Sequence, residues 1–336
     1  MKRIVLISGL IFLAILFLCN LIVGAVRIPL AEVWNILWGG TPEKSAWGFI
    51  VLESRLPQAL TALVGGASLA ITGLMLQTAF RNPLAGPGVF GVNSGASLGV
   101  ALVMLAGGGS ISAAGTSIGG FVAVLAAAFA GAMVVMLAIL LASWVVKSNT
   151  MLLIVGIMTG YLASSAISLL NYFAGKEGVQ SYMLWGMGNF GNVPMSQFAL
   201  FFLCCLVGII AALLLIKPLN ALQLGEAYAR NLGVSPLRMR NLLLAVTGWL
   251  TAVVTAWCGP ISFIGLAVPH IARLFLKTDD HLYLMPGTLI AGATVGLLCN
   301  LICIIPGEAG LLPLNATTPL VGAPVIIYVI LKSSRR

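Results

Sequence analysis

Charge is what this sequence has least of: Asp, Glu, Lys and Arg together make up 7% of 336 residues, and histidine occurs only twice. None of the acidic residues falls in the middle of an apolar run. Ion-coupled carriers, respiratory pumps and intramembrane proteases place an Asp, Glu or His at membrane depth, where charge is costly and is retained for function. Its absence argues against those classes. A G-x-x-x-x-G-K-[S/T] stretch is also missing, so the chain cannot hydrolyse ATP through a phosphate loop. Cys19, Cys204, Cys205, Cys258, Cys299 and Cys303 all lie inside apolar runs rather than in polar loops at metal-ligand spacings. That placement predicts buried, unpaired thiols in place of a disulfide framework or a zinc site. The +9 net charge comes from basic residues scattered along the chain, and such dispersal does not make a nucleic-acid surface.

What is present is apolar length. Hydrophobic residues are 60% of the chain and mean hydropathy is +1.10, well outside the soluble globular range. Ten runs read as membrane spans: about Ile4–Val26, Leu56–Thr78, Val92–Leu105, Ile118–Trp144, Met151–Ala174, Phe198–Ile216, Asn241–Trp257, Ile261–Leu276, Leu284–Ile305 and Ala316–Leu331. The first is too long for a signal sequence and lacks a small-x-small cleavage site, so it reads as an uncleaved span. RIPLAEVWNILWG (Arg27–Gly39) has the spacing of an amphipathic surface helix, and Gly178–Asn192 that of a partial helix dipping into the outer half.

With the N-terminus inside, the inner basic set is Lys2, Arg3, Arg81, Lys147, Lys217, Arg230, Arg238, Arg240, Arg273, Lys277, Lys332, Arg335 and Arg336. Only Arg27, Lys44, Arg55 and Lys176 fall outside. The positive-inside rule expects this asymmetry, so both termini are expected in the cytoplasm. GPGVFG (Gly86–Gly91) after the second span and GPISFIG (Gly259–Gly265) after the seventh are similar strings on opposite faces. They suggest an inverted repeat, spans two to five against seven to ten.

The longest polar inner loop, within residues 217–240, holds LGEAYARNLGVSPLRMR (Leu224–Arg240). It reads either as a solvated hairpin or as two short helices, parted by Gly233, presented to a soluble partner. Without a phosphate loop, an energy source must come from such a partner, unless the chain is a passive channel. Along span five Tyr161, Ser164, Ser165, Ser168 and Asn171 recur, either lining a pathway or bonding across helices.

Three blocks then become recognisable: RNPLAGPGVFGVNSGASLG (Arg81–Gly99), EAYARNLGVSPLRMR (Glu226–Arg240) and GPISFIGLAVPHIARL (Gly259–Leu274). With Asp280–His281 and LVGAP (Leu320–Pro324), they resemble the permease subunits of bacterial ABC importers for ferric siderophores, haem and cobalamin. The resemblance covers nearly the whole chain. It implies one all-α transmembrane domain over residues 1–336, of the type II importer class, with ten spans, set in the lipid of the inner membrane. It further implies a homodimer, two cytoplasmic ATPase subunits that bind the ATP, and an outer substrate-binding protein. The chain itself would be no enzyme and hold no cofactor or metal. An iron chelate is the expected cargo, with cobalamin as the alternative; a stand-alone channel or ion-coupled carrier is the reading from another class.

Matched to the family, the ATPase-coupling residues are Glu226, Ala229, Arg230, Leu232, Gly233 and Val234. The inner gate falls at Asn82, Leu84, Asn149 and Thr150, although Asn82–Pro83 is equally a plain turn. His270, in VPH, reads as structural or part of the inner surface rather than as a ligand. Outside, Arg55 would meet the binding protein or anchor at the headgroups. The chain departs from the family there: Gln58 stands where a second basic residue is common, apolar residues surround Ile304, and Leu312–Asn315 replace an E-L-P-V-G string.

Overall fold

The computed structural model describes residues 2–106, 118–146, 148–305 and 310–333; Lys147, Arg335 and Arg336 of the expected inner set lie outside them. Every regular element among the described residues is helical. The order is α1 Lys2–Ile22, α2 Leu30–Leu37, α3 Ser45–Phe49, α4 Leu56–Phe80, α5 Val92–Ala106, α6 Ile118–Val145, α7 Asn149–Phe173, α8 Lys176–Gly186, α9 Met195–Leu214, α10 Ile216–Leu224, α11 Glu226–Asn231, α12 Pro236–Cys258, α13 Ile264–Leu276, α14 His281–Ile304 and α15 Leu314–Ser333. Among the described residues, seven stretches are long and apolar enough to cross a bilayer, and three shorter apolar helices fall in α5, α13 and α15. The ten expected spans are these ten segments.

Two differences from the sequence reading have local causes. The α4 span begins earlier than expected, at Ser45, because α3 runs through a π-helical turn at Ile50–Arg55 straight into α4. The outer partial helix starts at Lys176 rather than Gly178 and ends at Gly186, followed by a 3-10 turn at Phe190–Asn192.

The core is α4, ringed by α12, α13 and α14. Lipid is as apolar as leucine, so helices there gain little from burial and associate through close contact. Small residues supply that contact. A Cβ on Gly73 would stand 1.5 Å from the Gly265 carbonyl oxygen of α13. Gly66 likewise packs on Gly292 and Gly296 of α14, where a Cβ would stand 2.4 Å from the Gly292 carbonyl oxygen.

Pairing α4–α7 with α12–α15 in order makes the packing self-similar. α4 packs on α13 and α14 as α12 packs on α5 and α6; α5 meets α6 and α7 as α13 meets α14 and α15. Even the irregular strings correspond: Gly156 of α7 lies against Phe90, and Gly322 of α15 against Phe263. This is the packing that the GPGVFG and GPISFIG echo implied. It also explains why α5 and α13 are short, since part of each crossing is made by non-helical chain packed inside protein.

Candidate functional site

Residues 216–236 form the short helices α10 and α11 between α9 and α12, and the turns expected to gate the pathway are bonded to α10 and to the start of α12. Gly225, at φ +129°, ends α10, and Gly233, at φ +80°, turns the chain from α11 toward α12. Such values are strained for any residue with a Cβ, which accounts for glycine at both corners. The Val234 amide donates to the Ala229 carbonyl at 2.9 Å and closes the turn, while the Ala229 side chain is fully buried beneath it. Leu232 and Tyr228 are instead more than half or half exposed, and Glu226 pairs with Arg230 at 3.8 Å across open surface. The residues expected to couple therefore divide into a corner (Ala229 buried, Val234 half-buried, Gly233 exposed) and an exposed face (Glu226, Arg230, Leu232).

A hydrogen-bonded relay pins α10 to the bundle. Asn220 of α10 accepts from both the backbone amide (2.9 Å) and Nδ1 (2.8 Å) of His281. Its own Nδ2 donates to Asp280 Oδ1 at 2.7 Å. With Nδ1 donating, His281 Nε2 accepts from the Thr78 hydroxyl of α4, 2.9 Å away. Asp280 also caps α14 by accepting from the Leu282 amide. That bond first, and the Asn220 bond second, hold its carboxyl below its ordinary pKa.

The four residues expected to form the inner gate come from two separate turns. Asn82 accepts from the Leu84 amide at 2.9 Å, which leaves Leu84 half exposed. His270 reaches across from α13 to bond the Pro83 carbonyl at 2.8 Å, so it braces this turn. Asn149 and exposed Thr150 begin α7, capped by Ser148. Each turn is joined to the α10–α12 segment by an arginine. Arg81 Nη2 donates to the Leu222 carbonyl at 2.9 Å, near the end of α10. Arg240 donates to Asn149 Oδ1 at 3.2 Å and to the Ser143 and Val146 carbonyls at 2.6 and 2.9 Å. Both arginines line one cleft of about 320 Å³ together with Asn149, Glu226 and Arg230.

The expected pathway residues all lie on α7. Ser164 and Ser168 line a groove of about 480 Å³ with Asn93, Ser94, Ser97, Tyr182 and Ser262; none of the described residues lining it is charged. Tyr161 and Ser165 are exposed on the same helix outside the groove, and Asn171 is half-buried near its end. Thr255 donates to Asn93 Oδ1 at 3.1 Å, which fixes the Asn93 side chain at the edge of the groove.

Arg55 is where the structure departs from expectation. It is 6% exposed and points inward, donating to the Leu21 carbonyl at 2.9 Å, the Ile22 carbonyl at 2.7 Å and the Val26 carbonyl. It closes the end of α1, with its guanidinium turned onto these carbonyls. The physical reason is that the terminal carbonyls of α1 have no intrahelical partner and need donors.

Several residues now in evident roles were missed. The sequence places Arg81 and Arg240 in the inner charge set and in the recognisable blocks but assigns neither a partner. Asp280–His281 had been matched as a string without a function. Asn315 bonds the Gly186 and Pro260 carbonyls and the Ser262 amide, tying α8, the GPISFIG turn and α15 together. A lone Asn in an apolar stretch is the signal that marked it.

The described residues thus form a helical bundle with ten apolar helices, in which arginines tie the segment around α10–α12 to the turns at Asn82 and Asn149. Comparison with known proteins is consistent: the FecCD transport family profile matches residues 12–332. The vitamin B12 import system permease proteins BtuC of Escherichia coli O6:H1 and Salmonella typhimurium are each 38% identical over 289 residues, covering 85% of this chain and 84% of theirs. A solved structure described as an inward-facing metal-chelate type ABC transporter superposes with a TM-score of 0.84 at 29% identity, covering 98% of this chain and 99% of that one. The chain belongs to the FecCD transport family and is a multi-pass permease subunit of the ABC importer class, not an enzyme.

Proposed function

We propose that this permease, as a homodimer, passes a metal chelate across the inner membrane when a separate ATPase drives it. Two ATPase subunits would seat on Glu226, Arg230 and Leu232, and a substrate-binding protein would deliver cargo at the opposite end. Both termini would then face the cytoplasm. The observation that carries the reading is the exposed face of α11 joined through Arg81 and Arg240 to both gate turns. A loop that only solvated itself would have no need of those ties.

The uncharged, hydroxyl- and amide-lined groove suits a large chelate held weakly, with selection left to the binding protein. An iron chelate, whether ferric siderophore or haem, is the first reading. Cobalamin is the second, favoured by the 38% identity to vitamin B12 permeases. Reconstitution with the ATPase and binding protein tests both. Uptake of one of the three cargoes is expected only with ATP present, and the binding protein's preference among them names the cargo. Uptake by this chain alone, without ATP, would overturn the reading in favour of a channel or carrier.

A further inference from the structure

We infer that Arg81 and Arg240 are the two transmission struts of the transporter, each carrying movement of the α10–α11 loop to one gate turn. The inference rests on the permease reading above. Arg81 immediately precedes Asn82 and sits in the left-handed region at φ +47°, which turns the chain out of α4. From there its guanidinium reaches the Leu222 carbonyl, 141 residues away, in the last turn of α10. Arg240 runs the other way. It stands in the first turns of α12, directly after the loop, and is only 7% exposed.

The guanidinium of Arg240 enters the turn between α6 and α7, where it meets two carbonyls from α6 and its end and the amide oxygen of gate residue Asn149. The next residue strengthens this hold, since Ser143 of α6 donates to Asn241 Oδ1 at 2.5 Å. So the loop grips one gate turn at its entry, and is gripped by the other gate turn near its α10 end. A fork of fixed donors holds several acceptors at once in one geometry, which an ammonium on a flexible stem does not. The ties are therefore stiff in the direction that matters. If α11 shifts, α10 and α12 shift with it, and neither gate turn can stay behind.

The two arginines also share a cleft with Glu226 and Arg230, the exposed pair on the coupling face. Movement imposed on that pair thus acts on the arginines within one cleft. Neither arginine touches the hydroxyl-lined groove or lies on the exposed coupling face, so each is a positioning residue.

The test is Arg240→Gln and Arg81→Gln, each assembled with the ATPase and binding protein in proteoliposomes, with cargo uptake and ATP hydrolysis measured together. A purely structural residue would lower both in proportion. Transmission predicts ATPase attachment and basal hydrolysis near the wild-type level, while cargo moved per ATP falls about tenfold, the scale of a coupling contact. Arg240→Lys should recover only part of that ratio. Asn149→Ala, which removes the gate end of the Arg240 strut, should lower the ratio alone and add little when combined with Arg240→Gln. Should Arg240→Gln fail to fold, Asn149→Ala and Arg81→Gln carry the same measurement. An unchanged ratio of transport to hydrolysis in folded variants would overturn the inference. Absence of ATP-driven uptake in the wild type would instead overturn the permease reading itself.

Discussion

Arg55 shows how one side chain near a membrane surface can be read in opposite ways. A basic residue beside Glu53 at the end of a span fits docking or headgroup anchoring, and both require the guanidinium to face out. Instead it faces in, onto the open carbonyls of Leu21, Ile22 and Val26, and Gly24 leaves room for it: a Cβ there would stand 2.7 Å from Arg55 Nη2. Arg55→Ala should cost about 1.5–3 kcal/mol, as expected for removing hydrogen bonds from a charged donor to buried carbonyls. The thermal midpoint of the purified permease should fall, while association of the binding protein at low and high salt stays unchanged. Slower association at low salt with an unaltered midpoint would return Arg55 to a docking role.

Asp280 gives a second residue-scale expectation. Its folded pKa is depressed by the Leu282 amide and by Asn220, so the stabilisation it contributes is present above the unfolded carboxyl value of about 3.9 and disappears as pH falls through the lower folded value. Asp280→Asn should lose that acid-range dependence while keeping the cap. Melting curves from pH 6 down to pH 3 should therefore be flatter below about 4 than for the wild type; parallel curves would remove Asp280 from the acid response.

Among the elements, the α10–α11 loop is where conformation and chemistry meet. Gly233 adopts φ +80°, its amide donates to the Arg230 carbonyl at 3.0 Å, and a Cβ there would meet nothing within 4 Å. Proline is fixed near φ −65° and has no N–H, so Gly233→Pro must rebuild the corner. Insertion and melting of the bundle should persist, because the loop lies outside it, whereas co-purification of the ATPase should fail. Normal attachment and substrate-stimulated hydrolysis in this variant would remove the loop from coupling. Gly233→Ala keeps the space but strains φ, and about 1–2 kcal/mol of hinge cost should give an intermediate result.

Legibility in the sequence followed the range of the interactions. Apolar runs, glycine corners and the short loop helices depend on neighbours a few residues apart, and these were readable from Leu224–Arg240 and from the span pattern. The two short crossings were readable as apolar runs, but their non-helical parts only as repeated strings, because the packing of Phe90 on Gly156 and Phe263 on Gly322 joins chain many residues apart. Arg81, Arg240, Asn220 and Asn315 escaped for the same reason. Each acts through a partner between 53 and 141 residues away, where no periodicity records it.

At the scale of the whole molecule, α7 poses a physical problem that a single copy leaves open. Its 18-residue apolar window is only 22% buried, yet it exposes Tyr161, Ser164, Ser165 and Ser168 along the middle of a membrane span. Ser168 partly satisfies itself by donating to the Ser164 carbonyl at 2.9 Å. A stripe of hydroxyls facing acyl chains would still be costly, and polar groups at this depth face protein or a water-filled path. By contrast α9, also 22% buried, exposes Leu200, Leu203, Val207 and Ile210, as a lipid-facing helix should.

Two copies meeting with their α7 helices across a central path would resolve the difference. In a background cleared of the six native cysteines, Ser164→Cys should then react with a small water-soluble thiol reagent, and Leu203→Cys should not. Ser165→Cys should cross-link two copies through a short bifunctional linker in the membrane, with Leu203→Cys again as the silent control. Delivery of cargo by the loaded binding protein should slow the Ser164→Cys reaction, because the groove that Ser164 shares with Asn93, Ser97 and Tyr182 would be occupied. Equal reactivity at Ser164→Cys and Leu203→Cys, with no cross-linked pair, would place α7 against lipid and remove both the central path and the homodimer arranged around it.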